Sequence, residues 1–342
     1  MSFNSKKNHQ DYGDKYNDDF TNVSSNSKKS KSKIKKTVIN TVVICASLLS
    51  IVAGAVLIYT DKVLNSVNYE SIAGEPSESQ SKADDGSPLL ANSSVLPILL
   101  VGTNEGLSDT NMLFIIDSIH KKLKLISFLR DTWVQIPGHG EERLNVAHSI
   151  GGGNLSVQTL QQNFGIKIDR YVSVNINGLE EIIDILGGMD IELTVEEVKY
   201  INTFSKDNAH TLPLKAGNTH LTGKQAVCHL RNRNSAGSDY DRTGRQRDGV
   251  EALKNKVDLG QLVSLISQIA PKITTNLTKD EIAKLASKAP SYKKYGTANF
   301  RLPTDDNVEH GVMKEGKCVE VIPDWEKAKD DLAKFISGEK SK

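Results

Sequence analysis

The run VLPILLVG (95–102) is apolar from end to end and closes on glycine, the pattern of a buried strand. NMLFIID (111–117) and KLKLISF (122–128) flank a polar SIHK turn, and the second alternates in polarity. Together they predict an antiparallel hairpin. Asn154 is placed to cap a helix through Phe164, with Gly165 as its stop. RYVSVNI (170–176) predicts a strand, LEEIIDIL (179–186) a helix ending at Gly187–Gly188, and MDIELTV (189–195) another strand. LTGKQAVCHL (221–230) predicts a short helix, and a proline-free segment from Asp239 to Val257 a longer one. Beyond it, Thr278 and Glu281 form a capping box ahead of EIAKLASKA. WEKAKDDLAKFI (325–336) predicts a closing amphipathic helix, with 337–342 as a frayed end. Alternation of strands and helices, with one antiparallel hairpin, implies an α/β fold: a mixed central β-sheet flanked by helices. Residues 95–257 form its core and 258–336 a helical extension of the same domain.

The N-terminal quarter has a different texture. Residues 1–36 are nearly free of large apolar side chains and predict a disordered cytoplasmic tail. The tail ends in Lys28, Lys29, Lys31, Lys33, Lys35 and Lys36. Residues 37–60, TVINTVVICASLLSIVAGAVLIYT, carry no charge and match the roughly 20 apolar residues a transmembrane helix needs. Lysines ahead of that span orient its N-terminus toward the cytoplasm. A cleaved signal peptide has an apolar core of about 7–15 residues after a short basic start, a poorer match than a retained signal-anchor. Residues 61–94, rich in Ser, Asp, Glu and Ala, predict a flexible extracytoplasmic spacer.

A formal charge of +1 exerts no global pull on nucleic acid, so any anion site must be local. The lysine run beside the span suits lipid headgroups instead. Three cysteines without CxxC or Cys/His spacing, and histidines without HExxH, give no zinc signature. Cys228 and Cys318 fall outside the cytoplasm, and spacing leaves their pairing open.

Arginine usage singles out one stretch. Nine of 43 basic residues are arginine, and five of the nine fall in RNRNSAGSDYDRTGRQR (231–247). Guanidinium offers a planar fork that grips phosphate or carboxylate at two points. On an extended chain Arg231 and Arg233 point the same way. On a helix Arg242 and Gln246 share a face, and Asp239, three residues earlier, can orient Arg242. Such a set suits a pyrophosphate. Spacing alone leaves open a solvated face whose arginines pair with Asp239, Asp241 and Asp248. VGTNEGLSDT (101–110) reads as a loop at a strand's end, and its Glu105 and Asp109 are hard donors suited to Mg2+. SFLRDTW (127–133) puts Arg130 at a strand's end. ERLNVAHSIGGGN adds Arg143 and a glycine run that lacks the GK[ST] ending of a phosphate loop and reads as a turn.

The collinear blocks VGTNEGLSDTNM, SFLRDTWVQIPG, RLNVAHSIGG, IIDILGGMDI, LTGKQAVCHLRNR and SDYDRTGRQR, over roughly residues 96–257, resemble the LytR–CpsA–Psr family. The resemblance implies an α/β/α sandwich on a membrane anchor. It implies Mg2+-dependent transfer of a polyprenyl-pyrophosphate-linked glycopolymer, of teichoic acid or capsule class, to peptidoglycan at the outer face of the cell membrane. It places the pyrophosphate on Arg130, Arg231, Arg233, Arg242 and Gln246. It puts the catalytic work on Arg130, Asp239 and Arg242, and the metal beside Asp109 and Asn104. The family usually has Asp at Asn104, often Arg at Leu107 and Pro at Leu129. A polyprenyl channel is expected between sheet and helices near Ile182, Ile183 and Leu186. Two other activities stay open: a lipid-pyrophosphate-binding module with weak or no transfer, and an envelope-linked transcriptional regulator. The topology expected from the lysine run gives no nucleic-acid partner.

Overall fold

In the computed structural model residues 65–70, 95–205, 213–233, 239–258 and 262–338 are described. The tail (1–36), the span (37–60) and most of the spacer lie outside them. No helix among the described residues is long and apolar enough to cross a membrane.

The centre of the domain is a three-strand meander: β2 (Val95–Asn104), β3 (Leu107–Asp117) and β4 (Lys122–Phe128), each antiparallel to the next. β4 is buried from its second residue on and β3 over most of its length, so both strands are largely shielded from solvent on either face. β7 (Tyr171–Asn175) joins β2 in parallel and β11 (Gly296–Leu302) joins β4 in parallel. β10 (Ile273–Thr275) adds to β7 antiparallel, and β1 (Asn68–Tyr69) forms the far edge. The order is β1-β10-β7-β2-β3-β4-β11, a mixed sheet as expected.

Helices cover each face differently. On one face α1 (Leu144–Phe164) and α8 (Trp325–Ser337) pack on Leu99, Leu113, Ile115, Ile126 and Phe128. Rings of Phe128, Phe164 and Trp325 meet at centroid distances of 4.7 and 5.3 Å. Lys124, 4% exposed, reaches out of this layer to Asp117 at 2.7 Å and to the Ile336 carbonyl at 2.5 Å, tying α8 to the sheet.

On the other face lie α2 (Ile176–Ile185), α3 (Val195–Phe204), α4 (Gly223–Leu230) and α5 (Asp239–Lys256), with the ribbon β8 (Met189–Leu193) and β9 (Gly217–Leu221). Among the described residues, their core of Ile183, Met189, Leu193, Ile201, Leu221 and Ala226 includes no residue of the central sheet. This layer packs on itself. Among the described residues, its main approaches to the sheet are α2 over β7 and β2, and α5 over β4 and β11. A gap remains between them.

Several expectations need correction. β5 (Trp133–Ile136) and β6 (Gly140–Arg143) form a separate ribbon leading directly into α1, whose first segment from Leu144 was not expected, while beyond its kink the helix runs to Phe164 and stops at Gly165 as predicted. The glycine run is a kink inside that helix, at Gly151 and Gly152. The stretch read as a loop, 101–110, is a tight hairpin instead. Glu105 and Gly106, at φ 50° and 85°, make the two-residue turn that the right-handed twist of paired strands favours. MDIELTV forms a strand outside the central sheet. Residues 258–336 contribute more than helices. Besides α6 (Leu262–Ile269) and α7 (Lys279–Tyr292), they supply β10, β11 and the hairpin β12 (Glu309–Lys314)–β13 (Lys317–Val321). Part of the presumed spacer is structural, since Asn68–Tyr69 pairs with Thr274–Thr275. The Thr278–Glu281 capping box and the closing helix are as expected.

Candidate functional site

The gap in the second layer is a cavity of 680 Å³. Its floor is the face of the sheet that carries Leu100, Met112, Val172 and Val174, and its roof includes Leu179 and Val227. The residues expected to line it fall elsewhere. Ile183 is fully buried in the helical layer's own core, and the cavity takes Ile176 and Leu179 from the preceding turn of α2 instead. Tyr200 and Phe204 of α3, ring centroids 4.7 Å apart, also line it.

One end of this apolar space is charged. Asp109, Arg231, Arg233, Arg242 and Gln246 all line it. Each arrives by a local device. Gly102 pairs with Thr110 and Thr103 with Ser108, so Asp109 is the extra residue of a β-bulge. A bulge re-aims the side chain it carries. Arg231 is the C-cap of α4, at φ −99° and ψ −5°, and not the extended residue expected. Arg242 and Gln246 share a face of α5, as their spacing predicts.

Arg130, far away in sequence, joins the same cluster. It donates to Asp109 through Nη1 and to Asp131 through Nε at 3.2 Å. Arg231 Nη2 lies 3.8 Å from the other oxygen of Asp109. Asp239 takes Arg242 Nη2 at 2.6 Å and stands 3.7 Å from Arg233 Nε. Asp131 extends the network to Arg143 at 3.6 Å. Five guanidiniums, Arg130, Arg143, Arg231, Arg233 and Arg242, thus face four carboxylates, Asp109, Asp131, Glu142 and Asp239, and Lys317 pairs with Glu142. The excess is two positive charges (6 − 4) beside an apolar cavity, an arrangement that attracts an amphiphilic anion.

Burial sets the electrostatics. Arg242 is 2% exposed, and burial pushes its pKa down to about 10, with Asp239 opposing and Arg130 and Arg233 adding to the fall. Asp239 is held above the usual carboxylate range by burial, against the pull of Arg242 and Arg130. Burial also works against the charge of Arg130, but Asp131, Asp109 and Asp239 outweigh it and raise its pKa. Arg242 Nε is buried without a hydrogen-bond partner, and so is Asp131 Oδ1. Arg231 and Arg233 keep 46% and 44% of their side chains exposed and form the rim.

The other two arginines of the 231–247 stretch face elsewhere. Arg245 pairs with Glu197 at 2.8 Å and donates to the Asn232 carbonyl at 2.9 Å, bracing the chain between Arg231 and Arg233. Arg247 donates to Ser127 on β4 at 2.8 Å. Asn104 ends β2 opposite Leu107, and Thr103 rather than Asn104 lines the cavity. Cys228 and Cys318 are free. Burial pushes the Cys228 thiol up to about 11. Asp131 was missed in the sequence, where its one signal is adjacency to Arg130. Tyr200 and Phe204 gave none, because a four-residue spacing on a helix looks the same in a core.

Among the described residues, no three His, Cys, Asp or Glu side chains gather as a metal site. Mg2+ binds through one or two carboxylates and completes its shell with phosphate oxygens and water. Asp109 on the bulge offers one such carboxylate, shared in this structure with Arg130 and Arg231.

Comparison with known proteins agrees with this architecture. The LytR_cpsA_psr family model matches residues 56–322. A protein of Enterococcus faecalis named polyisoprenyl-teichoic acid–peptidoglycan teichoic acid transferase TagU is 28% identical over 251 residues, covering 69% of this chain and 78% of that one. The Bacillus anthracis protein of the same name is 31% identical over 204 residues, 56% of this chain and 64% of its own length. Among solved structures, TagT with bound octaprenyl pyrophosphate lipid superposes with a TM-score of 0.60 at 22% identity, covering 79% of this chain and 98% of that one. TagT bound to LIIa-WTA gives 0.62 at 23%, over 79% and 98%. Likeness at that identity establishes a shared fold.

Proposed function

Because the chain belongs to the LytR–CpsA–Psr family, we propose that it transfers a polyprenyl-pyrophosphate-linked glycopolymer, of teichoic acid or capsule class, to peptidoglycan. The observation that carries this reading is that Arg130, from the end of β4, meets on Asp109 the cluster of Arg231, Arg233 and Arg242 that lines the charged end of an apolar cavity. A polyprenyl pyrophosphate has the matching form, a long apolar tail and two linked phosphates.

In this mechanism the tail lies along Met112, Val172, Val174 and Leu179 and the phosphates replace the internal partners of the arginines. A hydroxyl oxygen of peptidoglycan forms a bond to the polymer-proximal phosphorus. The bond from that phosphorus to the bridging oxygen breaks, and polyprenyl phosphate leaves with the electron pair. Arg130, Arg231, Arg233 and Arg242 neutralise the charge developing on the phosphate oxygens. Asp239 orients Arg242, and its raised pKa suits it to take the hydroxyl proton. Gln246 donates its amide to a phosphate oxygen. Asp109, with Asn104 as a neutral oxygen donor, would hold Mg2+, which would supply Lewis-acid stabilisation of the phosphate charge. The disordered tail, the signal-anchor at 37–60 and an outer-face location of the domain complete the reading, and support for them comes from the charge pattern of the sequence.

The test is incubation of the full-length protein with a lipid-linked polymer, Mg2+ and peptidoglycan fragments. A covalent polymer–glycan product is expected. Tight lipid binding without any product, across metals and acceptors, contradicts the transferase and leaves a binding module.

A further inference from the structure

A second cavity, of 380 Å³, opens on the opposite face of the sheet. On β7 the side chains alternate: Val172 and Val174 line the first cavity, whereas Tyr171 and Ser173 line the second. The two spaces meet where β2 and β7 end, since Thr103 and Asn175 line both. Thr103 pairs with Ser108, next to the bulged Asp109. The second cavity therefore abuts the charged end of the first.

We propose that this second cavity is the acceptor subsite, holding a hydroxyl-bearing sugar of the glycan that receives the polymer. The inference rests on the transferase reading and adds to it where the acceptor sits. Its lining is polar: Glu70, His148, Ser173, Asn177 and Glu181 among others. Alternating hydroxyl, amide, imidazole and carboxylate groups match the mixed donors and acceptors of a saccharide, and offer nothing to a prenyl tail. Geometry assigns the acceptor here rather than the donor's lipid. In phosphoryl transfer the attacking and leaving oxygens lie roughly in line across phosphorus. With the leaving polyprenyl phosphate in the first cavity, the second, across Thr103 and Asn175, offers the attacking oxygen a separate approach to the phosphates.

The wall of this cavity is built by the glycine run that otherwise had no role. Gly152 adopts φ 61° and ψ −156°, a conformation open to glycine. A Cβ on Gly153 would stand 2.2 Å from the Tyr171 ring. These two residues let α1 kink and press against β7, while the turn before the kink presents His148 to the cavity. His148 Nδ1 lies 3.1 Å from the Gly106 carbonyl, which can only accept. In the neutral ring Nδ1 thus carries the proton, and Nε2 is the lone-pair side, 3.3 Å from Ser173 Oγ. Tyr171 donates its hydroxyl to Glu70, which fixes the cavity's far wall.

Two variants of the full-length protein test this: Asn177→Trp, which fills the space from an exposed helical position, and His148→Ala. Three quantities are read: affinity for soluble peptidoglycan glycan fragments, affinity for bare polyprenyl pyrophosphate, and the acceptor KM for transfer. Both variants are expected to weaken fragment binding and raise acceptor KM by about tenfold or more, the worth of one or two hydrogen bonds. Affinity for bare polyprenyl pyrophosphate is expected to stay within about twofold. Unchanged fragment binding overturns the assignment. So does weakened binding of the polymer-bearing lipid with fragment binding intact, which would give the cavity to the donor's own sugars. If wild type binds fragments in a variant-sensitive way but transfers nothing, the subsite stands and the transferase reading fails.

Discussion

Replacing Arg242 by lysine separates what the guanidinium does from what its charge does. Arg242 is 2% exposed, holds Asp239 at 2.6 Å and faces the cavity. Lysine keeps a positive charge but presents its donors from a single point, so it loses the planar fork whose separate nitrogens serve Asp239 and a phosphate together. Losing one hydrogen bond between charged groups costs about 1.5–3 kcal/mol. At about 2–4 °C per kcal/mol for a domain of this size, Tm falls by about 3–12 °C. Losing one preorganised donor to the reacting phosphates lowers kcat by about 10²–10³-fold. The pH profile adds an independent sign. Burial already brings Arg242 down to about 10. A lysine starts about two units or more lower, so the same burial pushes its titration toward the alkaline end of the assay range. Residual activity of the variant should fall toward that end, whereas wild type stays charged. Single-turnover transfer from pH 6 to 9, with thermal melts beside it, measures all three. A loss under about fivefold, with unchanged Tm and no new pH dependence, would refute the placement of Arg242 at the phosphates.

Asp117 makes the domain acid-sensitive. Burial opposes its charge, but the His120 backbone N–H and Lys124 outweigh it and bring its pKa down to about 2. A depressed pKa gives stability that is complete above the unfolded value near 3.9 and is lost as pH falls toward 2. The amount is roughly 2 kcal/mol. Asp117→Asn leaves Lys124 buried without its counter-charge, at a cost of about 3–5 kcal/mol near neutral pH. Urea unfolding should show that gap closing as pH drops. Gly153→Ala drives a methyl into the Tyr171 ring, 2.2 Å from its Cβ position, and should lower stability by about 1–3 kcal/mol or more in the same assay. Gly223→Ala places a Cβ 2.1 Å from the Glu180 carbonyl and pushes α4 off α2, both of which line the cavity. Lipid affinity and Tm should fall together, as read by titration and melting.

Local chemistry was legible wherever it is written in neighbouring residues. The capping box at Thr278, the stop at Gly165 and the shared face of Arg242 and Gln246 follow from spacing alone. The hairpin at 104–107 was hidden because Glu105 is an uncommon residue at positive φ, where Gly or Asn is the usual signal. The kink at Gly151–Gly152 read as a turn because consecutive glycines are the usual local signal of one. Strands β1, β10 and β11 were missed for a different reason. They are short or half exposed, and pairing with distant strands holds them in place more than their own pattern does. The cavity itself has no sequence signature. It exists because Ile183, Met189, Leu193 and Ile201 pack with one another and leave Leu100, Met112, Val172 and Val174 uncovered, and apolar spacing is the same in either case.

The central claim is that arginines from the end of β4 and from α4 and α5 grip one pyrophosphate whose tail lies in the cavity under them. A structure of the full-length protein with bound polyprenyl pyrophosphate tests it most directly. The account predicts phosphate oxygens at about 2.7–2.9 Å from guanidinium nitrogens of both Arg130 and Arg242, with the prenyl chain running between Met112 and Leu179. A headgroup held by Arg242 with Arg130 still turned to Asp109 and Asp131, or a tail lying outside the cavity, would contradict it.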